Sequence, residues 1–428
     1  MILIHRLVVI SMAESMAFGF VTEGDVRELI PAFNRQVDAV EAPAGFGTGR
    51  IWRVGPGEKF HKLSEVVSKL HDGDIVEIYG GRYACDTGVK WRANFITVIG
   101  VKGRPIIDAT NCQISGDKGA WNPQGNGLII ANLEFTGAAG SSRNGAGIRY
   151  DGTGYLYITR CCFHDNQNGV LVTSVDGANT NVVIDRCEFT RNGAGDRRSH
   201  NIYVSSANAH QVNSFVIRFS YSGEPLGGHA VKTRALSNYV LYNRLIGESN
   251  SSSNSVVDIS QGGLSYVIGN VIEHGVDSNS TAMVSYSRET PQNAIQELYL
   301  INNTMLGQGA DAVALLLADN ACARVVDNLM VGISPSNLVN SFSSKVSLAN
   351  NVITSKPSFI DSANRDYRLA ASSPAVSAGV GAGSAHDFAL TPIYELDASG
   401  RISRRRTIAP FDAGAYAYQP ISSNKEER

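Results

Sequence analysis

Charge is scarce in this chain. Asp, Glu, Lys and Arg make up 18% of its 428 residues, and the two signs nearly cancel to a formal net charge of -2. Nucleic-acid binding needs an excess of Lys and Arg on one surface, so this balance argues against such a partner. Long apolar runs are also missing. Beyond the N-terminus no stretch approaches the roughly 18 residues of a spanning helix, and no membrane partner is expected. Cysteine is sparse: Cys85, Cys112, Cys161, Cys162, Cys187 and Cys322. None falls in the C-x-x-C or C-x-x-C…H spacing of a local zinc motif, so no metal site is expected. The cysteines read as mostly free, buried small groups.

Glycine is abundant, at 43 residues, with much Asn and Ser. Low charge and many small polar residues suit a β-rich chain with tight turns. The length suggests two or three domains, but an elongated repeat escapes that prior. The first residues, "MILIHRLVVISMAESMAFGF", are mildly apolar and interrupted by His5, Arg6 and Glu14. They read either as a weak export signal, which makes the protein secreted or periplasmic, or as an upstream extension.

A repeat runs through the middle. "LIIANLEF", "LYITRCCF", "VVIDRCEF", "YVLYNRLI", "YVIGNVIE", "LYLINNTM", "RVVDNLMV" and "SLANNVIT" share one form. Each is a short apolar strand, a small polar residue, and an apolar residue two positions on. The small position is filled by Cys161, Cys187, Asn243, Asn270, Asn303, Asn328 and Asn351. Two turns separate Cys187 from Asn243, with "FVIRFSYS" the degenerate one between. Strands recurring every 23 to 33 residues without helical periodicity between them indicate a solenoid. Stacked turns pair in parallel and bury one another's apolar faces. The Asn column then reads as a ladder of amides bonding the next turn's backbone. Residues 59–71, "KFHKLSEVVSKLH", place Phe60, Leu63, Val66, Val67 and Leu70 on one helical face. They predict a helical cap over the first turn. The expected organisation is an extension over 1–45, a solenoid of about ten turns over 46–355, and a cap and tail over 356–428. The last residues, "SSNKEER", are expected to be disordered.

The "DGDIVEIYGGRY" start, the "NGAGIRYDG", "YITRCCFHDNQNGV" and "IDRCEFTRNGAG" turns and the "DYRLAASSPAVSAG" ending resemble right-handed parallel β-helix proteins of the pectate-lyase-like superfamily. The resemblance covers about residues 50–420 and is closest to bacterial polysaccharide lyases. It implies an all-β, right-handed parallel β-helix. That superfamily also holds hydrolases, uronan epimerases and phage tailspikes, so the fold does not select the chemistry. The full aspartate cluster that holds calcium in the best-known pectate lyases is missing here, which leaves a calcium requirement open.

A second set of strands follows each Asn or Cys turn: "AGIRYDG", "NGVLVTS", "HNIYVSS", "HAVKTRA" and "SVVDISQ". Side chains alternate along a strand. With Ile148, Val170, Ile202, Val231 and Val257 inward, Arg149, Leu171, Tyr203, Lys232 and Asp258 face outward. Arg234 follows two residues after Lys232, and His200 and His229 enter adjacent strands at equivalent positions. Isolated cations on an outer face are usually just solvated, and the histidines alone are as readily a structural stack. Their convergence on neighbouring turns, in so uncharged a chain, marks a groove. The candidate catalytic residues are Lys232, Tyr203, His200 and Arg234. Arg149, His229 and Asp258 are the candidate substrate-binding residues.

Such a groove suits an acidic, uronic-acid-containing polysaccharide. β-Elimination needs a cation on the uronate carboxylate, a base for the C5 proton and a donor for the leaving oxygen. Arg234 or Arg149 can clamp the carboxylate. Lys232, near other cations, is expected to have a lowered pKa and to serve as base. Tyr203 or a histidine can protonate the leaving group, and Asp258 can orient Lys232. The base is open between Lys232, His200 and Tyr203. A glycoside hydrolase would need two carboxyl groups, with Asp258 and one of Asp165, Asp196 or Glu248. A C5-epimerase shares the first step of a lyase, and a non-catalytic glycan-binding solenoid is the remaining class. A monomer is expected.

Overall fold

The structure is a computed structural model that describes residues 45–206, 211–247, 255–275, 282–290, 292–307, 311–341 and 345–420. The N-terminal extension, up to residue 44, and the terminal "SSNKEER" lie outside the described residues. The chain coils into a parallel β-solenoid of about 11 turns. A 21-stranded sheet runs from Ile51–Val54 to Val352–Thr354, and an eight-stranded sheet runs from Ala146–Tyr150 to Val339–Asn340. Successive turns pair in parallel in both. Most strands are three to five residues long because the chain bends at each small polar position.

Like residues stack inside. Phe135, Phe163 and Phe189 lie ring on ring at 5.0 and 4.9 Å, and Trp121 closes the row edge-on at 4.8 Å. At the bend, the N–H of each ladder residue donates to the next side chain. Asn243 donates to Asn270 Oδ1 at 2.8 Å, Asn270 to Asn303 at 3.0 Å, Asn303 to Asn328 at 2.8 Å and Asn328 to Asn351 at 3.1 Å. The smaller residues fill the column upstream, as their spacing predicts. Cys161 N–H donates to Cys187 Sγ, Cys187 N–H to Ser220 Oγ, and Ser220 N–H to Asn243 Oδ1. A second bend carries a shorter column of Asn166, Asn192 and Asn201.

Two sequence expectations need correction. Residues 59–71 do not form an α-helix; they make two 3-10 turns, Leu63–Glu65 and Val67–Lys69. A helix this short is marginal by itself. Here Asp86 takes the Leu63 and Ser64 N–H groups at 2.8 and 3.3 Å and fixes a tight turn instead. Leu63 and Val66 still enter the core. Second, most of the cysteines are free, as expected, but Cys85 and Cys112 form a disulfide. Cys161 and Cys187 are free and buried, while Cys162 and Cys322 are free and half-buried. The disulfide joins residues 27 apart in sequence. Changing both to Ser is expected to lower unfolding free energy by about 3–4 kcal/mol through the released loop, measured as a shift in denaturant midpoint.

The C-terminal segment lies along the outside of the long sheet. Phe388 packs on Tyr266 at 4.5 Å, and Tyr394 meets Phe219 and Tyr242 edge-on. Leu390 is buried in the same cluster. Charged groups lie on both sheets: Glu134, His164 and Asp165 beside the long one, and Lys232 and Asp258 on the eight-stranded one.

Candidate active site on the eight-stranded sheet

The register of the small sheet matches the alternation read from the sequence. Tyr203 lies opposite Lys232, and Lys232 opposite Asp258. The inward partners Ile202, Val204, Val231, Thr233, Val257 and Ile259 are fully buried. Tyr203, Lys232 and Asp258 therefore occupy three successive turns, separated by the ~4.8 Å spacing between strands. Their outward direction does not make all of them exposed: Lys232 is 8% and Asp258 6% accessible.

The cover comes from a residue the sequence reading missed. After the strand Ala282–Tyr286 a loop turns back over the groove. Glu289 N–H donates to Ser260 O, and the Asn293 side chain donates to Ala235 O. Glu289 thereby reaches Lys232 Nζ at 2.7 Å and Arg234 Nη2 and Nε at 2.5 and 3.1 Å. On its other side Lys232 Nζ donates to Asp258 Oδ2 at 2.8 Å, which also accepts from Ser260 Oγ. The Arg234 guanidinium lies 5.4 Å from the Tyr203 ring centroid and the Lys232 ammonium 5.9 Å. A lone glutamate in "SRETPQN" follows no periodic pattern, so nothing in the sequence assigns it to this turn.

His200 and His229 stack at 5.0 Å, and His200 meets Tyr203 edge-on at 5.3 Å. His229 Nδ1 is 2.7 Å from Ser255 O and must carry the proton there. His200 Nδ1 accepts the backbone N–H of His229 at 3.1 Å, which places its own proton on Nε2. Burial pushes the His200 pKa well down, and His229, Lys232 and Arg234 push it the same way. Burial also lowers His229, against the pull of Asp258. Both rings are neutral near pH 7.

Lys232 behaves oppositely to expectation. Burial opposes its charge, but Asp258 and Glu289 outweigh burial and raise its pKa above the usual lysine value. The groups around it are carboxylates rather than further cations, so it is an ammonium held between two anions. Asp258 and Glu289 are correspondingly shifted down: burial favours their neutral forms but loses to the adjacent cations. For Tyr203, burial raises the pKa and prevails over the lowering by Arg234 and Lys232.

The other candidates lie apart. Arg149 faces the same way, but Leu171 stands between it and Tyr203 in the column. Its partner is Asp151 at 3.0 Å, which also takes Lys118 at 2.8 Å and Thr173 at 2.5 Å. These partners, with Asn122, hold Asp151 at a pKa of about 2 against its burial. Asp165 is engaged by His164 and Arg191 beside the long sheet, and Asp196 accepts from the N–H groups of Arg198 and Ser199. Glu248 lies outside the described residues. Calcium takes about six to eight oxygen ligands. Asp258 and Glu289 are already neutralised by Lys232 and Arg234, a donor set that does not suit it.

No protein-family model and no curated protein matches this sequence. Solved structures do. The pectate lyase Pel9A superposes with a TM-score of 0.58 at 13% identity, over 88% of this chain and 98% of that one. A rhamnogalacturonan lyase gives 0.43 at 11%, over 73% and 91%. A PL6 family polysaccharide lyase from Pseudopedobacter saltans gives 0.40 at 11%, over 75% and 96%. The chain has the pectate-lyase-like parallel β-helix fold. At these identities the likeness is one of fold.

Proposed function

We propose that the protein is a polysaccharide lyase that cleaves an acidic, uronic-acid-containing polysaccharide by β-elimination in the groove of Tyr203, Lys232 and Arg234. One observation carries the reading. Lys232 and Arg234 converge on a single carboxylate, that of Glu289, beside the Tyr203 ring. Two cations and an aromatic face around one carboxylate form a recognition site for a uronate. The substrate's carboxylate takes the place of Glu289, which withdraws with its loop. Neutralising that carboxylate acidifies the C5 proton. The Tyr203 phenolate removes it, the C4–O bond breaks as the C4–C5 double bond forms, and the phenol returns a proton to the leaving oxygen. His200 has its Nδ1 lone pair engaged, and Lys232 stays an ammonium, which is why the proton falls to Tyr203. Asp258 keeps Lys232 charged and in place. The Arg149 and Lys118 pair, farther along the same face, meets a more distant sugar of the chain.

The fold-level neighbour Pel9A is a pectate lyase, which is in keeping with the same reaction class. The Cys85–Cys112 disulfide favours an oxidising, extracytoplasmic site of action. A retaining hydrolase would use two carboxyl groups about 5–5.5 Å apart, and Asp258 and Glu289 share one ammonium. Both are held ionised, however, and neither supplies the required acid.

A panel of uronic-acid polymers tests the proposal. Unsaturated ends absorbing in the ultraviolet support it. Saturated reducing ends indicate hydrolysis, and C5 solvent-deuterium uptake without cleavage indicates epimerisation. Glu289→Gln is expected to lower KM by about tenfold, because the charge-assisted bonds it makes to Lys232 and Arg234 no longer compete with substrate. A steady-state comparison on the accepted polymer measures this.

A further inference from the structure

A second cluster lies on the outside of the long sheet, away from the groove. The strands Glu134–Thr136 and Cys162–His164 pair in register, with Glu134 opposite Cys162 and Thr136 opposite His164. Phe135 and Phe163 point into the core, so Glu134, Cys162 and His164 all point out. One ligand atom from each lies within 4.8 Å of the others, and all three side chains are half-buried. His164 Nε2 is 3.2 Å from Glu134 Oε1. Its other nitrogen, Nδ1, is 2.6 Å from Asp165 Oδ2. Asp165 is itself fixed by Arg191, whose Nε and Nη2 each donate to it at 2.9 Å.

We propose that Glu134, Cys162 and His164 form a binding site for a divalent transition metal, with Zn2+ the fitting ion. The donor set is one thiol, one imidazole and one carboxylate. Thiolate and imidazole together select a borderline ion such as Zn2+ over Ca2+ or Mg2+, which prefer oxygen alone. The second shell is also in place. A carboxylate on Nδ1 fixes the ring and leaves Nε2 for the metal, the usual arrangement around zinc-bound histidine. Three protein ligands leave one tetrahedral position for water or a small ligand. On binding, the Cys162 thiol and His164 Nε2 each release a proton to solvent, Nδ1 keeps its proton toward Asp165, and the thiolate and the imidazole bond the metal. The ion then ties two successive turns of the long sheet together.

The full chain, stripped of metal with a chelator and handled without oxygen or added thiol so that the Cys85–Cys112 disulfide stays closed, is titrated with Co2+ as a spectroscopic stand-in. One equivalent is expected to bind with a sulfur-to-cobalt charge-transfer band. Cys162→Ser is expected to abolish the band, and Cys162→Ser and His164→Gln each to raise Kd by at least about tenfold. Cys322→Ser, a thiol elsewhere on the same sheet, leaves both unchanged. Added Zn2+ raises Tm of the wild type and not of Cys162→Ser. A circular dichroism spectrum of each variant confirms that it folds. No Co2+ uptake at micromolar metal overturns the proposal and leaves His164 as an imidazolium between two carboxylates. A charge-transfer band that survives Cys162→Ser overturns it equally, by placing the metal on another thiol.

Discussion

Tyr203→Phe is expected to cut eliminative turnover by about 10²–10⁴-fold, the usual contribution of a positioned acid or base. Polymer affinity should change little. The ring remains, Lys232 keeps Asp258, and Lys232 and Arg234 are still there to hold the carboxylate. The pH profile separates this role from a structural one. The Tyr203 pKa is raised by burial, so phenolate is scarce at neutral pH. The wild-type rate should climb with pH on the alkaline side, one log unit per pH unit, until the phenol titrates. Lys232 and Arg234 are also shifted up, Lys232 by Asp258 and Glu289 against its burial. The residual activity of Tyr203→Phe should lack the climb. A variant that keeps both rate and slope would remove Tyr203 from the chemistry and return the proton to another group in the groove.

Asn303→Leu is expected to destabilise the fold by about 3 kcal/mol or more, since each buried group left without a partner costs about 1–3 kcal/mol. The Asn303 amide donates to Val267 O and to Asn328 Oδ1, both at close range. Its oxygen accepts from the N–H and the side chain of Asn270. Leucine has the same branched skeleton but is bulkier and satisfies none of these, and the site is fully buried. Urea denaturation of the folded chain measures the loss. A midpoint unchanged from wild type would show that the column is ornamental to stability and that packing of the apolar rows alone holds the turns.

The ladder is legible in the amino-acid sequence because a solenoid converts spacing along the chain into stacking. Once turns pair in register, residues at the same place in each repeat must lie above one another. That is why Asn243 to Asn351 form a column, why Ser220 fills the degenerate turn, and why Tyr203, Lys232 and Asp258 share a face. Alternation along each strand then settles which side chains leave the core. Those inferences rest on short-range geometry that every turn repeats.

What the repeat does not encode, only the tertiary structure decided. Glu289 sits in a loop whose path depends on where Asn293 and Ser260 hold it, and it joins Asp258 in raising the Lys232 pKa. The Cys85–Cys112 bridge joins two successive turns that precede the repeats of the Asn and Cys column. Asp86 turns an apparent helical face into two 3-10 turns by capturing two N–H groups across neighbouring turns. The Glu134, Cys162 and His164 cluster has no linear motif, because one ligand comes from the preceding turn, 28 residues upstream of Cys162 in the register of the sheet. The sequence determined the solenoid, its inward rows and the face that carries Tyr203, Lys232 and Asp258. The neighbours of each charge came from loops and cross-turn contacts, and those neighbours set whether Lys232 is a base or a cation.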